Sequence, residues 1–327
     1  MSNNFFKNKS FLITGGTGTF GKEALKYLIQ QKGVKKIVLF ARDEHKFHDL
    51  ERFQKLPNNV RLFIGDVRDE NRIDIALKDI DYVLHAAALK HVPYAEYNPS
   101  ECINTNITGS NNVINACIRN KVKKCVLVST DKAVNPINLY GATKLCCEKN
   151  FIASNNYSIN STSFLVTRYG NVVGSRGSLI EKLVEAKKNN SNEFDITDKK
   201  MTRFWISISD GVKFVFNCFK NGQGGEIFVP KMKSMKILDC IKSYLPHAKI
   251  KEIGVRPGEK IDEVLITRDN KNVYELKDHF VILPEFKFWT KKKFESQTKG
   301  KKVSLDYNSL NNKEMINITQ FKKIFKL

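Results

Sequence analysis

The chain has 327 residues, 41% of them hydrophobic and 27% charged, the makeup of an ordinary globular protein with ample length for a buried core. No apolar run approaches the roughly 20 residues of a spanning helix, and the start MSNNFFKNKSFLIT has no signal-peptide pattern, so a cytoplasmic protein with no membrane partner is expected. The net charge of +21 is carried mostly by scattered lysines outside any nucleic-acid motif, which predicts a solvated basic surface with a few cations for a phosphorylated ligand.

The first strand, Ser10 to Thr14, runs straight into GGTGTFGKEALKYLIQQ. Glycines 15, 18 and 21 have the T-G-x-x-G-x-x-G spacing, and Gly16, Gly18 and Gly21 also fit G-x-G-x-x-G. A turn without Cβ atoms lets backbone approach a pyrophosphate, and the following helix offers its unpaired N–H groups and positive dipole end. Gly15, Thr17, Gly18, Thr19, Phe20 and Gly21 are therefore candidate cofactor contacts, while Ala24, Leu25 and Leu28 continue a buried helix face.

The second strand, Lys36 to Ala41, ends without the acidic residue that usually meets a ribose 2′-hydroxyl. Arg42 and Lys46 follow and suit a 2′-phosphate, which predicts NADP; the competing reading gives the ribose to Asp43. A third strand, Val60 to Ile64, leads to Asp66 and Val67, which suit an adenine edge. The fourth, Tyr82 to His85, leads into AAALKHVPYAEYNP, where Ala86 and Ala87 let the chain pass close to a cofactor and Lys90 stands at a substrate entrance. Pro99 opens a helix that carries Asn106.

The run Cys125 to Val128 ends at Thr130, Asp131 and Lys132, and active-site groups of open α/β sheets gather at such strand ends. A helix from Leu139 to Phe151 would put Tyr140 and Lys144 on one face, where an ammonium beside a phenol lowers its pKa. Such a pair can take a proton from a sugar hydroxyl as a hydride leaves the same carbon.

A sixth strand, Thr162 to Thr167, precedes RYGNVVGSRGS. The later pattern is looser: MTRFWI (201–206), a helix from about Ser209 to Phe219, a strand Glu226 to Val229, and RPGEK (256–260). Arg203 and Arg256 are candidates for a diphosphate, because guanidinium forks match phosphate oxygens, although either could equally be structural. Residues 291–327 hold ten lysines and three acidic residues, and a helix is expected near Thr319 to Phe325. Seven cysteines without C-x-x-C spacing, and His45 and His48 without further ligands, predict reduced thiols and no metal.

The expectation is an α/β protein with a doubly wound parallel Rossmann sheet over residues 1–174. Residues 175–327 are expected to form a smaller mixed substrate region and a basic tail, with some strands returning to the first body.

Taken together, TGGTGTFG, FARDE, FIGDVRD, HAAALKHVPYAEYNP, STDKAVNPINLYGATK, RYGNVVGSRGS, MTRFW and RPGEK resemble the extended short-chain dehydrogenase/reductase family. The resemblance is closest to the inverting UDP-N-acetylglucosamine 4,6-dehydratases that open pseudaminic acid biosynthesis. It implies a tightly held NADP, with Tyr140 taking the 4-hydroxyl proton, assisted by Lys144 and Thr130. It further implies Lys132 as the C5 base, Asp131 as the acid for the 6-hydroxyl, and Lys90, Asn171, Arg256 and Glu259 around UDP-N-acetylglucosamine. A homo-oligomer, dimer-based and up to a hexamer, is implied as well. Retaining relatives typically carry Asp-Glu where this chain has Asp131-Lys132. A 4-epimerase would need Tyr140 and Lys144 but no elimination pair, and a non-catalytic NADP-binding regulator would need neither.

Overall fold

The computed structural model describes residues 5–53, 55–158, 161–285 and 300–325. Part of the basic tail reading, residues 291–299, lies outside the described residues, as does the very start of the chain.

Strands β1 (Ser10–Thr14), β2 (Lys36–Ala41), β3 (Val60–Ile64), β4 (Tyr82–His85), β5 (Lys124–Thr130) and β6 (Ser163–Tyr169) are joined through helices and pair parallel in the order 3-2-1-4-5-6. The order reverses beside β1, so the switch point opens above the carboxyl ends of β1 and β4, where open α/β sheets bind ligands. β1 is buried along its whole length and β4 likewise, as strands covered by helices on both faces must be. The first four strands begin and end where the sequence places them, because each is an apolar run bounded by turn residues.

Beyond these lie β7 (Asn171–Val173), β8 (Glu193–Ile196), β9 (Thr202–Ser207) and β10 (Ile227–Pro230), then β11 (Lys233–Lys236), β12 (Lys249–Glu252) and β13 (Val264–Ile266). The last are β14 (Val273–Glu275), β15 (His279–Ile282), β16 (Lys301–Val303) and β17 (Tyr307–Asn308). β10 extends the large sheet in parallel beside β6, and β15, β14 and β16 finish it in antiparallel fashion. Residues past 174 thus extend the large sheet with β10, β14, β15 and β16, while the small sheets β11-β9-β7, β12-β8 and β13-β17 lie outside it, the last packing Leu265, Ile266 and Tyr307 into the main core.

The main core fills the space around the large sheet, and Phe11, Tyr82, Phe216 and Phe219 interlock beneath β1 and β4. A second core joins Met201, Trp205, Ile241 and Phe321. Phe321 belongs to the helix Ile318–Phe325, one residue longer than expected, and its buried ring meets Trp205 edge-on at 5.6 Å. The C-terminal segment is thus pinned to the smaller body. Among the described residues no helix is long and apolar enough to cross a membrane, and no group of His, Cys, Asp and Glu could hold a metal. All seven cysteines are free thiols.

Candidate active site

The two bodies enclose a cleft of about 1180 Å³, floored by the carboxyl ends of β1, β4 and β5. At one end is the glycine turn. Gly15 has φ +68°, and a Cβ there would stand 3.1 Å from the Ala87 backbone; one on Gly21 would stand 2.6 Å from the Gly15 and Gly16 carbonyl oxygens. The helix Thr19–Ile29 begins behind Gly18 with no side-chain cap and no acidic residue in its first turn, so its orphan N–H groups face the cleft end. This cradle fits a dinucleotide pyrophosphate in both shape and sign.

Thr17, Thr19, Phe20, Ala86, Ala87 and Lys90 line the same wall, as do Arg42, Asp43, Lys46, Asp66 and Val67 where a second ribose and base would lie. Asp43 is held by Lys46, 2.6 Å away, whose ammonium keeps its carboxyl below the usual range. Arg42 is half in solvent, 3.5 Å from Asp66, which Arg68 holds more closely at 2.7 Å. Asn106, expected among the cofactor contacts, does not line the cleft. It is buried outside the cleft lining, where its amide donates to Thr143 Oγ1 (2.9 Å) and the Leu89 carbonyl (3.0 Å) and its oxygen accepts from Leu89 N–H (2.8 Å). Its bonds to Leu89 brace the loop after β4.

The strand end there is set by a residue the sequence reading left aside. Thr14 Oγ1 accepts the Ala86 and Ala87 N–H groups, both at 3.1 Å, and so donates its own proton to His85 Nδ1 at 2.7 Å. His85 Nε2–H then donates to Ser110 Oγ (3.0 Å), which donates onward to the Asn106 carbonyl. Burial, helped by nearby Lys144, lowers the His85 pKa to about 3, so the ring is neutral.

At the other end of the cleft, β5 delivers Thr130, and one turn of 3₁₀ helix carries Asp131 and Lys132. Asn138 caps the helix Leu139–Ala153 by accepting from Gly141 N–H (2.8 Å), and that helix presents Tyr140 and Lys144 to the cleft. Lys144 is buried, and its ammonium donates to the Val128 carbonyl at 2.7 Å. The lowered phenol expected from the Tyr140–Lys144 spacing is corrected here: burial raises Tyr140 to about 12, and the cation that opposes this is Lys132, with help from Thr130. Spacing puts two side chains on one face but does not say where a flexible ammonium points.

Lys132 is not a free amine either. Its Nζ lies 3.0 Å from Asp131 Oδ1 and 3.3 Å from Glu263 Oε1. Burial alone would lower its pKa, but the two carboxylates outweigh that and hold it charged. Asp131, fully buried just behind the cleft wall, is pushed upward by burial and by Glu263. Its Oδ2, Glu263 Oε2 and the Tyr169 hydroxyl are buried without hydrogen-bond partners among the described residues. Buried polar atoms of this kind call for a partner that these residues do not supply one another. Tyr169 lies in the RYGNVVGSRGS loop singled out in the sequence, whereas Glu263 carried no sequence signal, because only the fold brings it beside Lys132.

Asn171, Arg256 and Glu259 line the cleft as expected, and Arg256 is exposed there. Arg203 also reaches the lining but is committed elsewhere: it donates to the carbonyls of Thr202 (2.7 Å), Ile261 (2.9 Å) and Lys260 (2.9 Å). These bonds brace the 260–263 loop.

Comparison with known proteins agrees with this geometry. The family described as "Polysaccharide biosynthesis protein" matches residues 11–284. An inverting UDP-N-acetylglucosamine 4,6-dehydratase of Campylobacter jejuni is 50% identical over 315 residues, 94% of each chain. A UDP-glucose 4-epimerase of Rickettsia canadensis is 39% identical over 98% of this chain and 96% of its own. Among solved structures, Pen from Bacillus thuringiensis superposes with a TM-score of 0.88 at 36% identity, covering 98% of this chain and 99% of that one. A dTDP-glucose 4,6-dehydratase from Streptomyces venezuelae, solved with NAD and TYD bound, shares the fold alone, with a TM-score of 0.69 at 18% identity over 77% of this chain and 86% of its own. The chain belongs to the polysaccharide biosynthesis protein family, on the fold of the extended short-chain dehydrogenase/reductases.

Proposed function

We propose that the protein is an inverting UDP-N-acetylglucosamine 4,6-dehydratase that uses NADP and opens a pseudaminic acid-type sugar pathway. The observation that carries the reading is the convergence of Thr130, Lys132, Tyr140 and Lys144 on one cleft end, with Asp131 directly behind and the glycine cradle at the other end. Half-identity to the Campylobacter dehydratase along almost the whole chain supports the substrate. Arg42 and Lys46 beside the second ribose position, with Asp43 already tied to Lys46, support NADP over NAD. The reading carries with it a cytoplasmic homo-oligomer, as the resemblance implies.

A nicotinamide ring, when bound, supplies hydride acceptance at sugar C4, hydride return at C6, and a positive charge near the Tyr140 phenol. Tyr140 first releases its own proton to solvent, the Lys132 ammonium opposing the burial that raises its pKa, and the phenolate Oη then accepts the 4-hydroxyl proton; Lys144 is anchored beneath the site on the Val128 carbonyl. The 4-keto group makes the C5 proton acidic. Lys132 passes its own proton to Asp131, 3.0 Å away, and becomes the amine that removes the C5 proton. Asp131, already disposed to hold a proton, donates it to the departing 6-hydroxyl, which leaves as water. Return of a solvent-derived proton to the opposite face of C5 inverts that centre. Asn171, Arg256 and Glu259 orient the nucleotide sugar, with Lys90 at the entrance.

The test is proton NMR of UDP-N-acetylglucosamine with purified protein in heavy water. A 6-deoxy methyl signal, deuterium at C5 and L-arabino ring couplings are expected. The Rickettsia relative favours a second reading, 4-epimerisation; a galacto epimer with an intact 6-hydroxymethyl group would replace the dehydratase by it.

A further inference from the structure

One buried charge has no part in that scheme. Glu263 stands immediately before β13, only 2% exposed, and reaches from the C-terminal part of the chain to the cleft. Its Oε1 lies 3.3 Å from Lys132 Nζ and 3.7 Å from Arg203 Nε, while Oε2 is buried without a hydrogen-bond partner among the described residues. Burying a carboxylate costs several kcal/mol, which is tolerated only when a partner recovers it. Arg203 does not require this one, since three backbone carbonyls already accept from its guanidinium. The partner that does is Lys132.

The carboxylate is also held in place. Glu263 N–H donates to Ser309 Oγ at 2.9 Å, and Ser309 N–H donates back to the Glu263 carbonyl at 2.8 Å. The loop before it is tied to the catalytic segment twice, by Asn138 Nδ2 on the Gly258 carbonyl (2.8 Å) and Lys260 Nζ on the Val134 carbonyl (2.5 Å). On a backbone tied down in this way, Glu263 brings a second carboxylate, besides Asp131, within ion-pair distance of Lys132.

We propose that Glu263 is a positioning residue for the dehydration: its carboxylate holds the Lys132 ammonium between itself and Asp131, fixing where Nζ stands in the cleft and supplying its second counter-charge. The inference rests on the dehydratase reading. The charged and titratable groups around Lys132 are Asp131 and Tyr140 from its own side, Glu263, Arg203 and Lys260 from the C-terminal part, and Lys90 from the loop after β4. With only two carboxylates against several cations, loss of one leaves Lys132 less able to keep its proton.

The test compares wild type, Glu263→Gln and Glu263→Asp, each with NADP and UDP-N-acetylglucosamine, by kcat, KM and the pH profile of 6-deoxy product formation. Glu263→Gln is expected to lower kcat by roughly 10²-fold, the cost of a catalytic group misplaced by about an ångström. KM should stay within about twofold, the limb governed by Lys132 should move to lower pH, and Glu263→Asp should restore part of both effects. A Glu263→Gln protein with wild-type kcat, or one whose activity falls with an unmoved pH profile, overturns the inference. Should Glu263→Gln fail to fold, an unmoved profile in Glu263→Asp does the same. A wild-type protein that makes no 6-deoxy sugar sinks the dehydratase reading, and the inference with it, before any variant is made.

Discussion

Glu148 and Arg168 meet inside the protein as a forked ion pair, Oε2 accepting from Nη2 at 2.5 Å and Oε1 from Nε at 3.0 Å. Glu148 lies on the helix that carries Tyr140 and Lys144 and also accepts from Ser129 Oγ at 2.6 Å; Arg168 lies on β6 and donates to the Leu265 carbonyl at 2.8 Å. One pair therefore fastens the catalytic helix to β5, β6 and β13. Removing one partner leaves the other charge buried alone, so Glu148→Ala or Arg168→Ala should each cost roughly 3–5 kcal/mol in urea unfolding. A loss below about 1 kcal/mol, the level of an exposed pair, would mean the pair does not hold the helix.

Tyr140→Phe removes the hydroxyl assigned in the proposed mechanism to the 4-hydroxyl proton and little else, because the ring stays. Turnover of UDP-N-acetylglucosamine should fall about 10²–10⁴-fold, the usual worth of a general acid–base group. Cofactor affinity, measured by fluorescence titration, should hold. Retained turnover would take Tyr140 out of the chemistry.

Among the described residues Arg42 is held more loosely than Lys46 beside the proposed second ribose position, 3.5 Å from Asp66 against 2.6 Å from Lys46 to Asp43. Losing one charged hydrogen bond to a 2′-phosphate costs about 1.5–3 kcal/mol, so Arg42→Ala should weaken NADPH roughly tenfold or more and leave NADH unchanged. Equal loss for both cofactors would point to the ribose reading in place of NADP selectivity.

His85 contributes a pH dependence of stability. Its folded pKa, about 3, lies below the ordinary value of 6.5, so the fold favours the neutral ring. Its contribution is complete above about pH 6.5 and is lost, at up to roughly 1.4 kcal/mol per pH unit, as pH falls toward 3. The fall in urea midpoint between pH 7 and pH 5 should therefore be smaller in His85→Gln than in wild type. Parallel curves would show that the Thr14–His85–Ser110 chain does not exclude the proton.

Arg256→Ala and Arg203→Ala should part company. Arg256 is exposed in the cleft, so its loss should raise KM for the nucleotide sugar about tenfold at little cost in stability. Arg203 spends its donors on three carbonyls, so its loss should lower the unfolding midpoint first. Matching KM changes in two equally stable variants would return Arg203 to the ligand.

Local chemistry was enough to make much of this protein readable from its sequence. Apolar runs closed by turn residues mark β1 to β4, and the glycine spacing after β1 marks a phosphate cradle because only glycine tolerates Gly15's φ and the close approach at Gly21. Thr130, Asp131, Lys132, Tyr140 and Lys144 lie within one strand, one turn and one helix, so their proximity follows from secondary structure alone. What separated the two arginines, and Asn106 from the cofactor set, was which carbonyls the fold placed within reach of each side chain. Glu263 needed more still. It lies 131 residues from Lys132 in the chain, and only the packing of β13 against the catalytic turn makes them neighbours. Charge states were likewise decided there, because the proton affinities of Lys132, Asp131 and Tyr140 depend on burial and on partners from distant segments, which no local pattern encodes.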